Sequence, residues 1–276
     1  MQYRPFGTTG VEVSIIGMGT WYIDTGDRKR SVAALKAGLD AGMNHVDTAE
    51  MYGDAELVVA EAIAGRRDEV FLVSKVLPSN ASRKGTRTAC ERSLKRLGTD
   101  RLDCYLLHWR GGVPLAETVS TFTDLQREGK IRSWGVSNFD EDDLAELEAA
   151  GASACNQVLY HLKERAVEHA VLPACVAQRQ ALVAYSPFGH DDFPRADTPG
   201  GRVLAEIAGR HGATPRQVAL AFLVREPAVF AIPKASDPRH AAENAAAGDL
   251  MLTADDIAAI DAAFPLGRKP RSLPMI

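Results

Sequence analysis

Cysteine is scarce in this chain, and no two cysteines stand close together. Cys90, Cys104, Cys155 and Cys175 are widely spaced, and no C-x-x-C occurs. That pattern speaks against a disulfide-stapled scaffold or a cysteine zinc site, and suits packed thiols in a reducing compartment. Long apolar runs are missing too. No stretch approaches the roughly 18 residues that would suggest a membrane helix. The first twenty residues lack the basic start, apolar centre and small-residue cleavage site of a secretory signal. The expected location is therefore cytoplasmic, with no membrane partner. Excess positive charge is also absent, since 32 Lys and Arg face 36 Asp and Glu for a net charge of −4. With no basic stripe, nucleic acid is not an expected partner. No internal linker or low-complexity stretch divides the chain, so residues 1–276 are expected to form a single domain.

What the chain does have is a recurring alternation of short apolar runs and helical segments. Strands are predicted at Ile15–Met18, Met43–Val46, Phe71–Ser74, Asp103–Leu107, Ile131–Val136, Ala154–Val158, Leu182–Ser186 and Ala228–Ile232. Continuously apolar strands between helices argue for a parallel sheet buried on both faces. Eight such units close into a (β/α)8 TIM barrel, an α/β fold that commonly takes about 250 residues. Between the strands the apolar residues share helix faces: Val32 with Leu35 and Leu39, Cys90 with Leu94 and Leu97, Val119 with Phe122 and Leu125. Gly98 and Gly129 stand where C-terminal caps belong, and Thr214-Pro215 reads as an N-cap and first turn. The last strand spacing is longer by about one helix, so an extra helix is expected near Val203–Gly209. A final helix is expected over Ala254–Ala263, a hairpin in the first dozen residues at the barrel bottom, and an irregular tail from Pro265.

Four polar residues fall where a barrel keeps its chemistry, at the C-terminal ends of neighbouring strands. Asp47 and Tyr52 follow the second strand, Lys75 ends the third, and His108 ends the fourth. Tyrosine alone is a poor acid, with an ordinary pKa of about 10. A buried lysine held charged by a carboxylate would bring it towards neutrality. A lysine inside the barrel mouth would be costly without a charge partner, and Asp47 is the nearest by strand order. Tyr52 and His108 then form a donor pair suited to a developing alkoxide. Taken singly, each has a plainer role: Asp47 a helix cap, Tyr52 a loop aromatic, Lys75 a rim lysine, His108 a core histidine.

Over almost its full length the sequence resembles the aldo-keto reductases. The resemblance is carried by Gly17-Met18-Gly19-Thr20-Trp21, Asp47 to Gly53, Lys75, Leu107-His108-Trp109, Gly135-Val136-Ser137-Asn138-Phe139, Asn156-Gln157, Ala184-Tyr185-Ser186-Pro187 and Ile232-Pro233-Lys234. The details look closest to bacterial members similar to methylglyoxal reductases. The resemblance implies that Tyr52 protonates the carbonyl oxygen, that Lys75 lowers its pKa, that Asp47 pairs with Lys75, and that His108 orients the carbonyl.

No G-x-G-x-x-G opens a helix after a strand, so a Rossmann site is not supported. The resemblance instead implies a nicotinamide cofactor lying across the barrel mouth. Ser137, Asn138 and Gln157 would hold the carboxamide, and Tyr185 would stack on the ring. Ser186 and Phe188 would begin the covering loop, with Gly19, Thr20 and Asp47 alongside. Lys234, Ser236 and Arg239 would supply donors to phosphate at a helix start near Pro238. Glu243 and Asn244 match positions that hold the adenine. NADPH-preferring relatives often carry serine directly after the lysine and arginine six residues after it. Here those positions are Ala235 and His240. Histidine is a weaker phosphate partner than arginine, so NADPH is expected together with a capacity for NADH.

Trp21, Tyr22, Leu77, His108 and Trp109 would wall the substrate pocket by the same resemblance. An aromatic wall beside a tyrosine donor suits a small carbonyl with some apolar character. Short segments after Trp109 and after the last helix point to an open, broadly specific site. Arg110 is either a partner for a substrate carboxylate or a solvated rim charge. The expected activity is NADPH-dependent reduction of small aldehydes, 2-oxoaldehydes or ketones, by a monomer needing no metal. One alternative is a cofactor-binding redox-sensing subunit with little turnover. Another is a Schiff-base lyase on Lys75, which a nearby Asp47 would disfavour by keeping the amine protonated.

Overall fold

The computed structural model describes residues 1–276. Its first element is an antiparallel hairpin of β1 (Tyr3–Pro5) and β2 (Glu12–Ser14), with Tyr3 opposite Ser14. Phe6 in the hairpin turn is fully buried and packs its ring on His45, Phe71 and Phe230. These three lie at or near the starts of their strands, so the hairpin floors the barrel, as expected.

Eight parallel strands follow in simple sequential order. They are β3 (Met18–Gly19), β4 (His45–Asp47), β5 (Phe71–Val76), β6 (Leu102–Leu107), β7 (Ile131–Ser137), β8 (Cys155–Leu159), β9 (Ala181–Tyr185) and β10 (Val229–Ala231). The sheet closes through parallel bridges joining Ile16 to Ala231 and Gly19 to Lys234. This is the (β/α)8 fold. Two strands differ from expectation at the seam. The first pairs regularly only at Met18–Gly19, and the last is confined to Val229–Ala231, because isolated bridges replace a continuous ladder there. A bulkier residue at Gly19 would drive its Cβ to 2.6 Å from the Ile232 carbonyl oxygen, so the seam needs glycine at that point.

Ten helices cover the sheet: α1 (Arg28–Asp40), α2 (Ala55–Ile63), α3 (Arg83–Leu97), α4 (Leu115–Arg127), α5 (Glu141–Ala150), α6 (Val171–Ala177), α7 (Pro199–His211), α8 (Pro215–Leu223), α9 (Pro238–Ala246) and α10 (Ala254–Ala263). The apolar faces read from sequence turn inward. Cys90, Leu94 and Leu97 are buried on α3, and Val119, Phe122 and Leu125 on α4. Gly98 closes α3 in the left-handed conformation at φ 63°. Thr214 and Thr253 each build a reciprocal capping box, at the starts of α8 and α10. The extra helix, α7, is longer than predicted because Thr198 caps it well upstream, accepting from the Gly201 N–H. Residues beyond α10 form no regular element. A single apolar cluster of 72 buried residues runs through the barrel and under its helices. All four cysteines are buried and unpaired. No helix is long and apolar enough to cross a membrane.

Candidate active site

Parallel pairing brings the predicted polar residues to one end of the barrel. Asp47, the last residue of β4, sits beside Val73 of β5, and Lys75 lies two residues further along that strand. The His108 N–H donates to the Val76 carbonyl, which fixes the residue just past β6 against the end of β5. Tyr52 arrives from the loop between β4 and α2.

Lys75 is fully buried, and each of its three donor directions is used. Its Nζ donates to Asp47 Oδ1 at 2.5 Å, to the Thr48 carbonyl at 3.0 Å and to the Tyr52 hydroxyl at 3.3 Å. The other Asp47 oxygen accepts from Gln157 Nε2 at 2.8 Å. Thr20 Oγ1 donates to the Asp47 carbonyl at 2.8 Å. The Tyr52 ring meets His108 edge-on at 5.6 Å between centroids, and His108 lies 4.9 Å from Trp109.

Burial disfavours the Lys75 ammonium, yet attraction to Asp47 and then to Tyr52 holds its pKa above the ordinary lysine value. Burial pushes the Asp47 carboxyl up, against the pull of Lys75 and Gln157. Burial is also the largest influence on Tyr52 and raises its hydroxyl above the usual tyrosine value, although Lys75 pulls it down. This corrects the sequence expectation that the lysine would acidify Tyr52 in the resting protein. Asp47 already offsets the lysine charge and itself repels a phenolate. Tyr52 therefore keeps its proton at neutral pH, which is the state a proton donor needs. His108 is pushed down to about 2, by burial first and the Lys75 charge second, so its ring is neutral. Its Nδ1 is buried without a partner.

A cavity open to solvent covers this group. Of the predicted residues it is lined by Gly19, Thr20, Trp21, Asp47, Tyr52, His108, Trp109, Ser137, Asn138, Gln157, Tyr185, Ser186 and Lys234. Within the same lining, Tyr185 donates to Asn138 Oδ1 at 2.9 Å. Asn138 Nδ2 in turn donates to the His108 carbonyl and to Ser137 Oγ, both at 3.1 Å. Asn138 and Ser186 both have positive φ, 61° and 48°, a conformation that non-glycine residues seldom adopt and that aims side chains at functional mouths.

Several predicted residues lie elsewhere. Tyr22 is exposed and stacks on Trp21 at 4.6 Å between ring centroids, outside the lining. Leu77 is outside the cavity lining, and its N–H is bound to Glu50. Phe188 packs on Phe193 and under Arg216. Ser236, Arg239, Glu243 and Asn244 stand on or near α9, away from the lining. Arg239 turns back to Asp237, which also binds Arg30 from α1. Arg110 is taken by Glu146 at 2.8 and 3.0 Å and does not face the cavity. The sequence reading missed Met51, Ile232 and Ile276, which complete the wall. Met51 and Ile232 lay inside quoted motifs. Nothing in the tail signalled that Ile276 returns to the mouth.

A barrel with Asp, Tyr, Lys and His converging on one mouth defines a class of carbonyl-reducing enzymes. The sequence profile of the aldo/keto reductase family matches residues 15–264, and the chain belongs to that family. It is a nicotinamide-dependent oxidoreductase. Among its relatives, "Methylglyoxal reductase YeaE" of Escherichia coli (strain K12) is 44% identical over the whole of both chains. An aldo/keto reductase from Klebsiella pneumoniae, solved in complex with NADP and acetate, is 42% identical with TM-score 0.94 and full coverage of both chains. Another Klebsiella pneumoniae structure, in complex with NADPH, is 44% identical with TM-score 0.93, covering 100% of this chain and 99% of that one.

Proposed function

We propose that this chain is a cytoplasmic, single-domain, monomeric NADPH-dependent reductase of small aldehydes, 2-oxoaldehydes and ketones, with Tyr52 as its general acid. One observation carries the reading: the Tyr52 hydroxyl is bonded to a lysine that is itself locked by Asp47, beside a neutral histidine on the cavity floor.

The residues present suit a dinucleotide. The Gln157 amide nitrogen is committed to Asp47, so its Oε1 remains to accept from a carboxamide. Ser137, Asn138 and Tyr185 line the same cavity, and Gly19 presents bare backbone to it. Lys234, at the cavity edge, makes no ion pair with the protein's own carboxylates and can meet phosphate. A nicotinamide bound there would supply hydride to the carbonyl carbon. Tyr52 Oη passes its proton to the carbonyl oxygen as negative charge develops there. Lys75 stabilises the phenolate left behind, and Asp47 keeps that lysine in place and charged. His108 and Tyr52 orient the carbonyl between them. Trp21, Met51 and Trp109 give the pocket apolar walls and limit water around the reacting carbon.

Support for NADPH comes from the two Klebsiella pneumoniae relatives, one holding NADP and one NADPH. Support for substantial NADH use comes from Ala235, His240 and the engagement of Arg239 by Asp237. The test is loss of the reduced cofactor's near-ultraviolet absorbance with methylglyoxal and a panel of aldehydes, run with both cofactors. Turnover on 2-oxoaldehydes supports the reading. Tight cofactor binding with no turnover across the panel would replace it with a redox-sensing role.

A further inference from the structure

Glu50 stands between Asp47 and Tyr52 in the loop after β4, and the chemistry above leaves it without a role. Its carboxylate is nevertheless almost wholly enclosed, with side-chain exposure of 3%. Oε1 accepts from the Leu77 N–H at 2.7 Å and from Asn80 Nδ2 at 3.0 Å. Oε2 is paired with Arg92 of α3. The Glu50 backbone N–H donates to the Lys75 carbonyl at 3.3 Å. The loop that carries Tyr52 is thus tied to β5 on both sides of Lys75, once through the Lys75 carbonyl and once through the Leu77 amide. One turn beyond Arg92, Arg96 donates to the Gly53 carbonyl at 2.6 Å. Helix α3 therefore holds this loop on either side of Tyr52.

Glu50 does not line the cavity, so it cannot meet substrate or cofactor directly. What it can control is the distance between Tyr52 and Lys75. That contact is the longest of the lysine's three hydrogen bonds, at 3.3 Å. It is also the one supplied from furthest beyond β4, since Asp47 ends that strand and Thr48 follows it directly, so a small loop shift breaks it first.

We infer that Glu50 is a positioning residue for carbonyl reduction: its buried carboxylate fixes the Tyr52 loop against the strand that carries Lys75. The inference rests on the reading of Tyr52 as the proton donor. A charge at Glu50 is not what the role requires; an acceptor oxygen of the right reach is. Glutamine keeps that oxygen, and alanine removes it.

The experiment compares Glu50→Ala, Glu50→Gln and Tyr52→Phe in the full chain. Cofactor affinity is read by fluorescence titration, turnover by carbonyl reduction across a pH series, and folding by thermal melting. Glu50→Ala should bind cofactor as the parent does while kcat falls roughly 10- to 100-fold, the scale expected for a displaced reacting group. The alkaline limb of its kcat profile should move to higher pH, because Tyr52 loses part of the lysine's pull. Glu50→Gln should recover most of the lost kcat. If the alanine variant does not fold, Glu50→Asp replaces it, since one methylene less cannot reach all three donors. A melting temperature that drops while kcat and its pH profile stay at parental values would overturn the positioning role. Tyr52→Phe separates the two claims. Near-parental turnover in that variant removes the acid assignment itself, whereas an inactive Tyr52→Phe beside a fully active Glu50→Ala removes only Glu50.

Discussion

Gln157 donates its side-chain amide to the one oxygen of Asp47 that Lys75 does not use. These two residues come from β8 and β4, strands that are not neighbours, and they meet across the barrel interior. The bond satisfies a buried carboxylate that a single lysine would leave half-paired. Replacing Gln157 by Leu should strand that oxygen. The expected cost is about 1–3 kcal/mol of folding stability, measured by urea unfolding, with a matching loss of kcat. Unchanged stability would mean that Asp47 finds another donor.

The Asp47–Lys75 pair itself is fully enclosed. Removing one partner leaves an uncompensated buried charge, at a typical cost of about 3–5 kcal/mol. Lys75→Met should therefore destabilise strongly. Combining it with Asp47→Asn should restore much of the stability and none of the turnover. Parallel unfolding and activity measurements on the three proteins check this. Recovery of activity in the double variant would show that the pair is a structural device.

Much of this was legible in the sequence, and the reasons differ by residue. Asp47, Lys75 and His108 end apolar strand runs, so period and spacing place them at one barrel mouth before any contact is known. Tyr52 follows because its loop is short. The direction of the Tyr52 pKa was not legible, since it depends on how far burial outweighs a lysine already offset by Asp47. Nor was the Ile276 wall, because an irregular proline-rich tail carries no periodicity to say where it packs. The α9 residues were assigned by resemblance, and only side-chain geometry shows that Arg239 is bound to Asp237.

His108 is neutral through the ordinary working range, pushed down to about 2 by burial and then by Lys75. A histidine whose folded value lies so low gains no proton as pH falls through the usual imidazole range near 6.5. The kcat profile should show no limb there from His108. Ring nitrogen chemical shifts should report a neutral imidazole down to the acid unfolding transition. A protonation step between about pH 6 and 7 would show that water reaches the ring more freely than the geometry implies.

Asp256 supplies an acid-sensitive contribution far from the mouth. It closes the Thr253 capping box and accepts from Arg210 at 2.6 Å, with His211 at 2.7 Å. Burial raises its carboxyl, but the bonds from Arg210, His211 and Thr253 prevail and hold it well below the usual carboxylate range. A depressed folded value adds stability that is fully present above the unfolded value near 3.8 and is lost as pH falls through the folded one. Asp256→Asn should cost about 1 kcal/mol at neutral pH, allowing for solvent screening at Arg210. The gap between variant and parent should close on acidification. A difference independent of pH would place the contribution in the shape of the cap rather than its charge.

Asp237 governs the last prediction, on cofactor choice. It is the N-cap of α9, where it accepts from the Arg239 N–H at 2.8 Å and also holds the side chains of Arg239 and Arg30. Arg239, proposed to meet a 2′-phosphate, is thus turned, together with Arg30, onto a carboxylate that would repel one. Asn caps a helix about as well as Asp but carries no charge. Asp237→Asn should keep the helix and release both guanidinium groups. NADPH should then bind more tightly, by about 3- to 10-fold, while NADH affinity stays level. Fluorescence titration with both cofactors reads the ratio directly. A parallel gain for NADH would show that Asp237 shapes the whole cofactor cleft. No change for either would show that the arginines do not reach the phosphate, leaving Lys234 as its principal partner.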